Sequence, residues 1–115
     1  MIAIIFEVYP RDGEKENYLE IAAGLKPQLE KIDGFISVER FQSLTDPKKM
    51  LSLSFFESEE AVANWRNLAS HRDGQEKGRQ GVFDDYRLRV AGVIRDYGLF
   101  DRDQAPQDSQ QVHGS

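Results

Sequence analysis

Residues 58–97 read SEEAVANWRNLASHRDGQEKGRQGVFDDYRLRVAGVIRDY, and the hydrophobic period changes within them. At the N-terminal end Val62, Trp65 and either Leu68 or Ala69 recur at helical spacing. Ser58 stands where a helix cap belongs, and Glu59 and Glu60 fill a first turn where the helix dipole favours anions. A second helical piece is expected at 70–77, ended by Gly78. From Phe83 to Arg95 the period falls to two. Tyr86, Leu88, Val90 and Ile94 point one way, and Arg87, Arg89, Val93 and Arg95 the other, which is a strand. The stretch is therefore a helix leading into a strand.

Working outward, the rest of the chain supplies a matching set. Ile2–Tyr9 reads as a strand with Ile2, Ile4, Phe6 and Val8 on one face and Ala3, Ile5, Glu7 and Tyr9 on the other. Both faces are largely apolar, so it belongs in the middle of a sheet or is covered on both sides. Pro10–Gly13 is a turn, with Asp12 a candidate N-cap. A helix is expected over 14–32, its buried face marked by Tyr18, Ala22, Leu25, Leu29 and Ile32. Pro27 removes a backbone donor inside it and predicts a kink, and Gly34 reads as the stop. Phe35–Leu44 and Met50–Phe56 are two strands around the turn Thr45-Asp46-Pro47-Lys48-Lys49, a hairpin. In the first of them alternation sets Ile36, Val38 and Leu44 against Phe35, Ser37, Glu39 and Phe41.

The order β-α-β-β-α-β is the ferredoxin-like arrangement: an α+β fold with one antiparallel sheet and both helices on one face. The helices leave the other face bare although strands one and two carry apolar residues there. A second copy, sheet against sheet, is the simplest cover, so a homodimer forming a dimeric α/β barrel is expected. The domain spans 1–97. The remaining 98–115 form a polar C-terminal tail, expected to order against the dimer partner.

Composition narrows the function. A chain of 115 residues with net charge −5 is one acidic domain, and an acidic surface argues against nucleic acid. With no cysteine, disulfides and thiolate chemistry are excluded, which fits a cytoplasmic protein. The longest apolar run, Ile2–Phe6, is far short of the roughly 20 residues a bilayer requires, and no secretory signal is visible. Asp84-Asp85 is a solvated turn without His or Cys close in sequence, so no metal site is expected.

The residues that carry chemistry are few. Trp65 is the single tryptophan and His71 one of two histidines. Trp65 reads either as a core aromatic or as a pocket wall that stacks on a flat ligand. His71 reads either as a polar surface residue or as a general base, since a pKa of about 6.5 suits proton removal near neutrality. Arg87 and Arg89 read either as ion-pair partners of Glu7 and Glu39 or as anchors for an anionic oxygen.

Several blocks resemble the antibiotic biosynthesis monooxygenase family: Gly34-Phe35-Ile36 with Glu39-Arg40-Phe41, Ser52–Phe55, Glu60–Arg66, His71-Arg72 with Gln75 and Gly78-Arg79, and Asp85–Val90. The resemblance covers residues 1–97 and implies a dimeric α/β barrel. It implies a monooxygenase acting on a flat electron-rich aromatic, of phenol or hydroquinone type, with dioxygen and no cofactor. On that pattern His71 and Trp65 are catalytic, and Arg79, Arg87, Phe83 and Gln75 line the substrate. The quinone-forming members carry an Asn one turn before the Trp and a phenol after it; here Ala61 and His71 stand there. An alternative is haem binding and degradation. Its axial His is expected ten residues after the Trp, where this chain has Gln75. A further alternative is a non-catalytic dimeric small-molecule binding module.

Overall fold

The computed structural model describes residues 1–68 and 81–108. Its elements are β1 (Ile2–Pro10), α1 (Lys15–Leu29), β2 (Phe35–Gln42), β3 (Met50–Phe56), α2 (Glu59–Arg66) and β4 (Phe83–Gly92). The four strands form one sheet in the order β2-β3-β1-β4, every pair antiparallel. This is the α+β ferredoxin-like fold expected from the element order.

The register sorts the side chains into two faces. Three cross-strand rows lie on the helix-covered face: Gln42–Met50–Val8–Tyr86, Arg40–Ser52–Phe6–Leu88 and Val38–Ser54–Ile4–Val90. A fourth, Phe35–Phe56–Ile2–Gly92, closes that face. The bare face carries Phe41–Leu51–Glu7–Arg87, Glu39–Leu53–Ile5–Arg89 and Ser37–Phe55–Ala3–Ala91.

β2 departs from simple alternation. Its register shifts between Phe35 and Ser37, which leaves Ile36 as an extra residue. One extra residue inverts the parity of what precedes it. Phe35 therefore joins Val38 over the helix-side core instead of facing the other way, and Ile36 is exposed. β2 also ends at Gln42, two residues before Leu44, which is fully exposed. Gln42 Nε2 donates to the carbonyls of Ser43, Asp46, Pro47 and Lys49, so the hairpin loop winds around one amide instead of extending the strands. β4 stops at Gly92, short of Arg95.

α1 buries Tyr18, Ala22 and Leu29, the stripe its spacing predicts. Its N-cap is Glu14 rather than Asp12, because the turn Arg11–Glu14 carries the chain past Asp12 before the helix begins. The helix ends at Leu29, two residues beyond Pro27, and not at Ile32. Gly34 is not a helix stop. It lies at φ +91°, and a Cβ there would come within 2.9 Å of Ala61 Cβ. Only glycine permits that turn and that approach of α2.

Ser58 caps α2 as expected, its hydroxyl accepting from the Ala61 amide at 3.2 Å. Among the described residues of the tail, the chain folds back through short turns. The Asp96 amide donates to Gln104 Oε1 at 2.8 Å, Arg102 sits over the Tyr97 ring, and Ala105 is buried.

Candidate functional site

The helix-covered face divides into two apolar clusters. The first gathers Val8, Tyr18, Met50 and Val82 with Phe6, Ile21 and Phe83 around them. The second gathers Leu29, Phe56, Ala61 and Val62, with Ile2, Ile4, Val38 and Trp65 packed against it. Burying groups of this size stabilises by about 1.5–3 kcal/mol for each large apolar side chain. α1 spans both clusters, Tyr18 at one end and Leu29 at the other. α2 reaches only the second and brings Trp65, half-buried, to its rim.

The first cluster is aromatic. Phe6 lies 5.9 Å from Phe83 and 5.5 Å from Tyr86, and Tyr18 lies 5.6 Å from Phe83, all edge-on or tilted. Such geometry aligns ring edges with ring faces and leaves flat surfaces on which another ring can stack. On β4 the row ends Tyr86, Leu88 and Val90 point to this same face yet remain 52%, 48% and 51% exposed. They form an apolar shelf beside the buried core, where the described chain leaves the sheet uncovered.

Between the clusters the surface turns polar. Ser52 and Ser54 stand in the middle rows, and Ser54 is buried. Arg40 occupies the β2 end of the Arg40–Ser52–Phe6 row, beneath α1. Its guanidinium lies near enough the Tyr18 phenol to act on its ionisation, and its Nε is buried with no hydrogen-bond partner among the described residues. Burial raises the Tyr18 pKa above its ordinary value, against the opposing pull of Arg40, so the phenol is neutral at physiological pH.

The bare face has a different chemistry. Glu7 takes Lys49 Nζ at 2.5 Å and Arg89 Nη1 at 2.6 Å. The Lys49 hydrogen bond first, and that of Arg89 second, hold the Glu7 carboxyl below the usual carboxylate range. Arg89 is thus an ion-pair partner of Glu7, reached diagonally, since Glu7 is opposite Arg87 in register.

The structure brings two of the expected site residues to one face: Trp65 in the second cluster and Phe83 in the first. Arg87 lies on the opposite face of the sheet, separated from Trp65 by the sheet itself. His71, Gln75 and Arg79 lie outside the described residues. Among the described residues no group of three or more His, Cys, Asp or Glu could hold a metal ion, and no helix is long and apolar enough to cross a membrane. Arg40 was not singled out by sequence reasoning. Its signal was available: it shares parity with Val38, so it is a charge on the covered side of β2 with a serine opposite it.

A model of the antibiotic biosynthesis monooxygenase family matches residues 1–77. A jasmonate monooxygenase from Pyricularia oryzae is 48% identical over 93 residues, covering 81% of this chain and 43% of that protein. The chain thus spans less than half the length of that relative. An uncharacterised Bacillus subtilis protein, YqjZ, is 28% identical over 81% of this chain and 79% of its own length. Among solved structures, Rv0793 from Mycobacterium tuberculosis superposes with a TM-score of 0.76 at 12% identity, covering 84% of this chain and 98% of that one. A conserved protein from Methanosarcina mazei gives a TM-score of 0.71 at 11% identity, over 78% of this chain and 89% of that one.

Proposed function

The chain belongs to the antibiotic biosynthesis monooxygenase family, and from that premise we propose that it oxygenates a small, largely apolar organic molecule held between the helices and the sheet. The observation that supports this reading is the shelf of Tyr86, Leu88 and Val90, about half-exposed on the covered face and continuous with the edge-on rings of Phe6 and Phe83. An apolar floor with few polar groups is the usual composition of a small-molecule site. Trp65 at the rim serves as the stacking wall. His71 serves as the base, taking a proton from a phenol or from a carbon next to a carbonyl so that the resulting anion is electron-rich enough to reduce dioxygen. Arg79 and Gln75 complete the lining in this reading.

Electron balance sets the substrate class. Converting an activated methylene to a carbonyl with one dioxygen forms one water, and all four electrons come from the substrate. An anthrone-type molecule, or a hydroquinone carried on to its hydroxyquinone with loss of one water, therefore supplies all four electrons and needs no cofactor. Inserting one oxygen into an unactivated C–H bond leaves two electrons and two protons to be supplied by an added reductant. The related Pyricularia protein is named for jasmonate, so a cyclopentanone acid joins the aromatic panel, with and without reductant.

The second protomer belongs to the same reading. Ile5, Leu51, Leu53 and Phe55 are only half-covered on the bare face, and Phe41 is 42% exposed there. A facing copy would bury them. Sedimentation of the purified chain at a dimer mass supports this part, and a monomer contradicts it.

The experiment for the activity is dioxygen uptake with the anthrone, hydroquinone and cyclopentanone-acid panel, on wild type and His71→Ala. Uptake that depends on His71 is expected. No uptake with any member sinks the oxygenase reading, and unchanged uptake in His71→Ala removes His71 from its role.

A further inference from the structure

One feature of the covered face is not needed for packing or for oxygen chemistry. Arg40 carries its charge beneath α1, where an aliphatic residue would close the row more simply. Across the strand stands Ser52, and on the next row Ser54. Both are small residues, and α1 buries another, Ala22, on the face it turns to the sheet. The guanidinium lies near the Tyr18 phenol and pulls its pKa down against the effect of burial. Its Nε donor is buried and unpaired among the described residues. A buried donor without an acceptor is rare in folded proteins and calls for an explanation. A guanidinium presents its donors as a planar fork that matches a carboxylate. Beside it stands a neutral phenol able to donate a further hydrogen bond.

We propose that Arg40 and Tyr18 form a subsite for a carboxylate on the bound ligand, so that the preferred ligands are small ring-bearing carboxylic acids. The acid group docks at the β2 end of the Arg40–Ser52–Phe6–Leu88 row, and the ring lies along the row toward the aromatic cluster. Neighbouring strands are about 4.8 Å apart, so the row from β2 to β1 spans about 10 Å. That is the length of a two-ring acid. The proposal deepens the oxygenase reading by naming the substrate class, and it rests on that reading only for the claim that the ligand is also the substrate. Among the described residues Arg40 makes no ion pair with a carboxylate, whereas Arg89 on the bare face is already taken by Glu7. The donor left unpaired is the one beneath the helix.

Calorimetric titration tests this without any turnover. The full chain is titrated with 1-naphthylacetic acid and cyclopentylacetic acid, each against its methyl ester, at neutral pH. The acids are expected to bind at least about 30-fold more tightly than the esters, the factor associated with losing one partner of a buried charged hydrogen-bonded pair. In Arg40→Met the preference disappears while the esters bind as before. In Tyr18→Phe, which keeps the ring and its packing, acid affinity falls about tenfold and ester affinity does not move. An arginine with a purely structural role would lower both affinities together and leave their ratio intact. Equal binding of acid and ester by wild type, no binding of either, or a preference that survives Arg40→Met would each overturn the subsite. A chain that selects the acid but consumes no dioxygen supports the subsite and counts against the oxygenase reading alone.

Discussion

Gly34→Ala is the substitution that tests how α2 is seated, and its size follows from two separable contributions. Gly34 has φ +91°, where an L-residue loses about 1–2 kcal/mol. The new Cβ would also stand 2.9 Å from Ala61 Cβ, well inside the roughly 3.5–4.0 Å of an unstrained carbon contact. Ala61 cannot retreat easily. It is 2% exposed, and its amide is held by Ser58 Oγ at 3.2 Å. Overpacking at such a site costs about 1–3 kcal/mol, and the stiffer unfolded chain returns about 0.4–1 kcal/mol. The net loss is about 3 kcal/mol, which for a domain of this size lowers Tm by about 10 °C. Gly13→Ala is the internal control. Gly13 has nearly the same φ, +84°, with nothing within 4 Å of its Cβ position. It keeps the backbone contribution and lacks the contact, so a loss of about 1 kcal/mol and about 3–4 °C is expected. Paired thermal unfolding by circular dichroism reads the difference. If the two variants shift Tm equally, the close approach of α2 to the Gly34 turn is wrong, and with it the placement of Trp65.

Three further outcomes follow from the same geometry. Ser58→Ala removes the α2 cap and lowers stability by about 1 kcal/mol, seen as a reduced urea midpoint at unchanged slope. Glu7 titrates below its ordinary value in the folded chain. The stability it contributes is therefore complete above its unfolded pKa of about 4.5 and is lost as pH falls through the lower folded value. Urea midpoints between pH 7 and pH 3 should show a shallower acid limb in Glu7→Gln than in wild type, and coincident limbs would refute the Lys49–Glu7–Arg89 network. Trp65→Phe keeps an aromatic ring but shortens the wall, so turnover with an aromatic substrate should fall about 2–10-fold while Tm moves little. A rate unchanged in that variant removes Trp65 from the site.

Periodicity made most of the fold legible. Alternation in β1 and β3, the α1 stripe through Tyr18, Ala22 and Leu29, and the Ser58 cap are local signals, and each element appears where its spacing requires. The misreadings share one cause: they depend on how segments meet. Nothing around Ile36 marks a bulge, because the extra residue is defined only by its pairing with Phe55 and Phe56. Asp12 has the chemistry of a cap, but the turn from Arg11 to Glu14 places a different residue at the helix start. Gly34 resembles a helix stop in sequence, and its real constraint is a carbon on α2, 27 positions away in the chain.

The site was only partly legible for the same reason. Trp65 and Phe83 were visible as aromatics at helical and strand positions, and both face the covered side. Arg87 attracted notice because it alternates with Arg89, yet that alternation is what places it on the other face, opposite Glu7. Arg40 sits between Glu39 and Phe41, and its parity with Val38 gives its face but not what lies across from it. Its importance emerges from the third dimension, where α1 brings Tyr18 near it.

The central claim is that this chain splits dioxygen and places one of its atoms in an organic ligand. Labelled dioxygen, ¹⁸O₂, supplied to the purified protein with an anthrone substrate tests it most directly by mass spectrometry of the product. The account predicts one labelled oxygen in the quinone carbonyl and the second in water, in wild type and not in His71→Ala. Unlabelled product, or label entering at the same rate without protein, would contradict it.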